Sequence, residues 1–262
     1  MCGIAGYSLS ASSSVERTLA AQALLAGIAE RGADAVGYAH RSPGEPVAIH
    51  KQRSGASALL EEVLLPQTAT EVLVHVRDYT KGHPRIGANN HPIRHGAVVG
   101  IHNGVIFNDD ELMREHGFGR AEPQMTVDSE AIFALAEEAG GSASALEELR
   151  GSLATAWLDD RRPGTVFLAR GVGRPLWIGA GREELFFAST KAALEVVERY
   201  LRLKLRKREV PEGTVVTVAD GREVGRESFE PNRDFEEREL PAVRAPQEGL
   251  SCLRQLAALT AL

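Results

Sequence analysis

Cysteine is scarce in this chain: 262 residues contain only Cys2 and Cys252, one near each end. Two thiols are too few for a secreted disulfide scaffold or a four-thiolate zinc site, and a reducing compartment is expected. An excess of positive charge is missing as well, since 30 Lys plus Arg stand against 36 Asp plus Glu for a net charge of -6. With no global positive field, nucleic acid and anionic lipid are not the expected partners. No run approaches the roughly 18 apolar residues of a membrane span. The start MCGIAGYSLSASSSVER lacks the basic opening and long apolar stretch of a secretory signal, so cytoplasmic residence is the expectation. What remains is ordinary: 43% hydrophobic and 25% charged residues, enough for a sizeable core in one domain or two small ones.

Along the chain, CGIAGYSL reads as a buried strand starting almost at the terminus. Ser13-Ser14-Val15-Glu16 has the spacing of a capping box, followed by Leu24, Leu25 and Ile28 at helical spacing and a stop at Gly32. Strand-like runs follow at 35–40, 46–51, 72–76 and 97–102. A helix is expected from Thr126–Ser129 to Gly140, another over 144–150, and a third over 190–200. Further strands are expected at 155–158, 165–169, 176–178 and 185–188, and 213–221 reads as a strand entering an Asp-Gly hairpin turn. Arg202, Lys204 and Arg206 alternate with leucines before Lys207 and Arg208, as on the solvated face of an edge strand. Residues 230–249 are charged and proline-rich, a linker or surface-hugging tail, and 250–262 are apolar and helix-prone, suited either to a partner or to the chain's own domain. Strands interleaved with paired helices, without internal repeats, predict a layered α+β protein.

Four places carry candidate chemistry. Cys2 follows the initiator Met, so removal of Met1 would set its free amine beside its thiol as a general base; the plainer alternative is a small buried side chain at a sheet end. Arg77 leaves an apolar strand and suits a two-hydrogen-bond grip on a carboxylate, or a surface ion pair with Asp78. Asn103-Gly104 closes another apolar strand, as an oxyanion hole or as a turn. Asp128 stands at a helix start, to hold an ammonium group or simply to cap the helix. His91 and His95 have zinc-ligand spacing, but no second pair of ligands accompanies them, so no metal is expected.

The motifs MCGIAGY, RGADAVGYA, HVRDYT, GANNHP, IHNGVIFND, TVDSEAI, ARGVGRPLWIG and FFASTKAAL occur in the order and approximate spacing found in class II glutamine amidotransferases. From residue 2 to about 229 the chain resembles their glutaminase domain, leaving 230–262 as linker and tail. The resemblance implies an N-terminal-nucleophile hydrolase fold, a four-layer αββα sandwich of two antiparallel sheets between helical layers. It implies hydrolysis of the glutamine side-chain amide to glutamate and ammonia, with no cofactor or metal. Carried over residue by residue, Cys2 is the nucleophile and its amine the base, Asn103 and Gly104 form the oxyanion hole, Arg77 and Asp128 hold the α-carboxylate and α-ammonium, and Thr80 lines the pocket. Asp78, Lys81 and Ala33 depart from the residues common in the family. Those departures keep open a stand-alone amidohydrolase for another γ-glutamyl or small amide. The expected ammonia recipient is a separate synthase subunit, and a non-catalytic amino-acid-binding subunit is the alternative from another class.

Overall fold

A computed structural model describes residues 2–237 and 245–261. The strands are β1 (Gly3–Leu9), β2 (Ala35–Arg41), β3 (Ala48–Gln52), β4 (Glu71–Arg77), β5 (Ile93–His95), β6 (Val98–Ile106), β7 (Gly151–Asp159), β8 (Thr165–Arg170), β9 (Trp177–Ala180), β10 (Glu184–Ala188), β11 (Arg206–Glu209), β12 (Thr214–Ala219) and β13 (Arg222–Ser228). The helices are α1 (Arg17–Ile28), α2 (Asp109–Glu115), α3 (Glu130–Glu138), α4 (Lys191–Leu201) and α5 (Pro246–Leu259). One antiparallel sheet runs β11-β9-β10-β1-β4-β2-β3 and the other β13-β12-β8-β7-β6-β5. No helix among the described residues is long and apolar enough to cross a membrane.

The strands alternate between two buried faces, and the core accordingly divides into three. Ala5, Tyr7 and Leu9 of β1, with Val72, Val74 and Val76 of β4, pack under α1, α4 and α5. Val98 of β6 and Trp157 of β7 pack under α3. Between the sheets lie Ile4, Leu73, Val99, Ile101, Ala154 and Ala156. Three apolar seams require four layers, so the α+β, four-layer αββα architecture that the resemblance implied is the one present. Burial on both faces is also why the central strands read as continuous apolar runs rather than as alternating ones.

At the end of the sandwich away from Cys2, Arg41 of β2 pairs with the buried Glu71 of β4 and donates to the backbone of Asp159 and Thr165, tying the two sheets together.

Local expectations mostly match, with instructive exceptions. The N-cap of α1 is Glu16, whose carboxylate accepts from the amides of Thr18 and Leu19, while Ser13 donates to Glu184 instead of completing a capping box. The helix expected over 144–150 is a short 3-10 segment, Ala143–Glu148. The sequence reading has no counterpart for α2, whose seven residues are too few for a periodicity signal. The Asp-Gly turn is present, with positive φ at Asp220 and Gly221 between β12 and β13. Of the two placements expected for the 250–262 segment, α5 takes the one on its own domain and buries Cys252 and Leu256 beside α1. Both cysteines are free thiols. Met1, on which the expected removal falls, and the middle of the expected linker, 238–244, lie outside the described residues.

Candidate active site

Cys2 enters the molecule at its centre because β1 is a middle strand, flanked by β10 and β4, with Gly3 paired to Val76. That register sets Cys2 beside the Arg77 end of β4. The part-buried Cys2 thiol donates to the Asp78 carbonyl at 3.4 Å, and Arg31 Nε donates to the Cys2 carbonyl at 2.9 Å. Burial pushes the thiol pKa up, partly opposed by the Asp78 hydrogen bond and by the Arg77 guanidinium. A neutral resting thiol needs a base at the moment of attack.

Strand parity decides what faces Cys2. In β4, Leu73, His75 and Arg77 point between the sheets; in β6, Val99, Ile101 and Asn103 do so. β6 crosses β1 and β4, and the His75 ring nitrogen Nε2 lies 3.1 Å from the His102 carbonyl across the seam. Asn103 is 1% exposed, yet neither its side-chain nitrogen nor its oxygen has a hydrogen-bond partner among the described residues. A buried amide without partners is costly in a folded protein, and it is the state in which a donor waits for a ligand oxygen. Gly104 follows with φ +151°, and a Cβ there would stand 1.8 Å from the Ser152 carbonyl. Gly104→Ala is therefore expected to lose more than about 3 kcal/mol of stability in urea denaturation.

Asp128 is buried, and its Oδ2 accepts from the Ile106 amide at 2.7 Å instead of capping α3. Burial raises its pKa, while the Ile106 amide, Lys81 and Arg77 oppose the rise. Arg77 is 2% exposed, and its donors are largely committed: Nη1 to Asn90 Oδ1 at 2.6 Å, and Nη2 to the carbonyls of Lys81, at 2.8 Å, and Gly82. With both Nη2 hydrogens taken, a carboxylate gains two parallel bonds only by displacing a loop carbonyl. Thr80 sits exposed on that same loop. The structure thus gathers Cys2, Arg77, Asn103, Gly104 and Asp128 at one end of the sheet-to-sheet seam and leaves Thr80 at its surface.

Several contributors escaped the sequence reading. Asn90 anchors Arg77 and also donates to the Pro84 carbonyl, and the Asn89 oxygen accepts from the amides of Thr126 and Val127 just before Asp128. The two asparagines of GANNHP were a visible signal, but only the fold shows what they hold. His102 turns to the helix side, where Nε2 faces the Ser152 carbonyl at 3.2 Å and Nδ1 meets Ser129 Oγ at 2.9 Å. A carbonyl only accepts, so Nε2 carries the proton and Ser129 donates to Nδ1.

His75 and His91 stack with ring centroids 4.2 Å apart. Burial drives the pKa of His75 down to about 3 and that of His102 to about 4, and carries His91 well below its usual value. Such imidazoles bind protons better when unfolded, so their contribution is whole above the unfolded pKa near 6.5. It is lost as pH falls towards about 4 and then 3. Urea denaturation is expected to show stability declining between about pH 6.5 and 4 by about 1.4 kcal/mol per pH unit for each histidine. A flat profile across that window would contradict neutral burial.

A thiol at the head of a central strand, in two facing antiparallel sheets between helices, defines the fold of an N-terminal-nucleophile hydrolase. Solved structures agree: glutamine phosphoribosylpyrophosphate amidotransferase from B. subtilis, complexed with ADP and GMP, superposes with a TM-score of 0.68 at 20% identity, covering 87% of this chain and 49% of that one. The sequence places the chain more narrowly. A model of the glutamine amidotransferase domain matches residues 83–196. The glutamine–fructose-6-phosphate aminotransferase of Shigella flexneri is 31% identical over 253 residues, spanning 90% of this chain and 40% of the relative. Its counterpart in Escherichia coli K12 is 30% identical over 254 residues with the same coverage. The chain carries a glutamine amidotransferase domain homologous to those of the class II glutamine amidotransferases, whose members are enzymes. It spans about two fifths of the length of the curated relatives it matches.

Proposed function

We propose that this protein hydrolyses the side-chain amide of glutamine to glutamate and ammonia through a thioester on Cys2. The observation that carries the reading is the buried, unpartnered amide of Asn103 on the strand that crosses the one headed by Cys2. With Met1 removed, the Cys2 amine takes the thiol proton as sulfur attacks the amide carbon. Asn103 and the Gly104 amide donate to the developing oxyanion, where fixed donors in a dry site outperform water. The amine passes its proton to the departing nitrogen, ammonia leaves, and the same amine activates the water that opens the thioester. Arg77 and Asp128 hold the two charges of the amino-acid end, and Thr80 borders the entrance.

The ammonia is proposed to pass to a synthase on a separate subunit. What supports an acceptor for the ammonia is that the relatives named above are glutamine–fructose-6-phosphate aminotransferases. A second reading, another γ-glutamyl amide as substrate, draws on the commitment of Arg77 to the Lys81 and Gly82 carbonyls.

The test is intact mass before and after incubation with 6-diazo-5-oxo-norleucine, a reactive glutamine mimic, followed by peptide mapping. Loss of Met1 and a single adduct on Cys2 is the expected result. Processed protein without an adduct removes glutamine as the substrate, and a retained Met1 removes the base. A panel of γ-glutamyl amides separates the second reading, which requires one of them to be turned over faster than glutamine.

A further inference from the structure

The loop 78–82 touches two members of the site. The Asp78 carbonyl accepts from the Cys2 thiol, and the carbonyls of Lys81 and Gly82 accept from Arg77. The Tyr79 amide donates to Asp34 at 3.0 Å, which fixes the outer side of the loop to the segment before β2. Towards the second sheet, the Lys81 ammonium fixes it. Lys81 Nζ lies 2.8 and 2.6 Å from the two oxygens of Asp109 and 2.8 Å from Asp110 Oδ2. Three acceptors match the three hydrogens of an ammonium.

Those acceptors are themselves held. The Asp109 side chain is 2% exposed, so it has little water to turn to when the lysine leaves. Arg120 braces Asp110 at 2.8 Å with one nitrogen and reaches the fully buried Glu130 at 3.0 Å with the other. Asp109 opens α2, three residues after Ile106, whose amide binds Asp128. Lys81 therefore fastens a loop of the first sheet to the start of α2, just beyond the strand of the second sheet that carries Asn103 and Gly104. The fastening crosses the end of the seam where the site lies.

We propose that Lys81 is a positioning residue: its grip on Asp109 and Asp110 sets where the 78–82 backbone lies against Cys2 and Arg77, and through that sets affinity for the amino-acid end of the substrate. Release of the ammonium lets the 78–82 backbone drift, and the Arg77 guanidinium, which leans on the Lys81 and Gly82 carbonyls, loses the orientation in which it meets the substrate carboxylate. The same ammonium opposes the rise that burial causes in the pKa of Asp128, so the effect falls on both charged ends of the bound amino acid. The steps on the bound amide fall to Asn103, Gly104 and the amine, none of which lies on this loop. The consequence is a lysine that acts on KM.

This inference rests on the proposed glutaminase activity, and its test separates the two. Steady-state glutamine hydrolysis and hydrogen exchange of peptides covering 78–82 are measured for Lys81→Met, Lys81→Arg and Asp110→Asn. Lys81→Met is expected to raise KM about tenfold with kcat within about threefold, and to speed exchange in the loop; Lys81→Arg is expected to restore both. Asp110 is 72% exposed and outside the core, so Asp110→Asn keeps the fold and loosens one of three contacts, with a smaller rise in KM. An unchanged KM in Lys81→Met or, should that variant not fold, in Asp110→Asn, overturns the proposal, as does a fall in kcat alone. If the parent protein does not turn over glutamine, the proposed function fails, and exchange alone decides this inference: unchanged loop protection in Lys81→Met overturns it.

Discussion

Cys2→Ala protein, freed of Met1, is expected to release no ammonia from glutamine above background, a loss of about 10⁴-fold or more. Its melting temperature should stay within about 2 °C of the parent, because a part-buried side chain with a single 3.4 Å sulfur contact contributes little to packing. Cys2→Ser keeps the shape and the amine but replaces the sulfur with a much weaker nucleophile, and it should be crippled nearly as far. Full turnover by Cys2→Ala would end the thioester mechanism. The pH profile carries independent information. In the parent, kcat/KM should rise through about pH 7.7–8.0, the ordinary range of an α-amine. His75, His91 and His102 are all displaced downwards by burial, so an ascending limb near pH 6.5 would show that the base is some other group.

Asn103→Ala is the second large effect, and its two readouts should part company. Loss of one oxyanion donor costs about 10²–10³ in kcat, with little change in KM because the ground-state carbonyl makes small demands on the hole. Stability should hold or rise. Asn103 buries two polar atoms without partners among the described residues, and removing them relieves a desolvation cost of about 1–3 kcal/mol against the loss of a few packing contacts. Ammonia release measured alongside urea denaturation checks both halves. A variant that loses activity and stability together would make Asn103 a structural residue, and the oxyanion assignment would fall.

The sequence showed the candidate site as a set of residue types in order, and the gathering of those residues was not visible in it. Cys2, Arg77, Asn103-Gly104 and Asp128 each had a mundane alternative, and for Asp128 the alternative of helix capping is replaced by a contact to Ile106 across the fold. Arg77 shows the reverse difficulty. Its exit from an apolar strand was legible, but the commitment of its nitrogens to Asn90, Lys81 and Gly82 depends on a loop path that no local pattern encodes. Lys81 stood out in sequence only as a departure from its relatives. Asp109, its partner, lies in a seven-residue helix that periodicity cannot detect.

By itself, then, the sequence determined the elements the molecule is built from: no run long and apolar enough for a membrane-spanning helix, a net charge of -6, a cysteine beside the initiator methionine, and strand and helix signals that local chemistry sets within a few residues. Tertiary structure alone decided which face of each strand meets which layer, and so that Asn103 faces the seam between the sheets while His102 faces Ser129. The physical reason is that side-chain parity along a strand is local, whereas the pairing of β1 with β4 and the crossing of β6 over both are set by burial of three apolar seams at once.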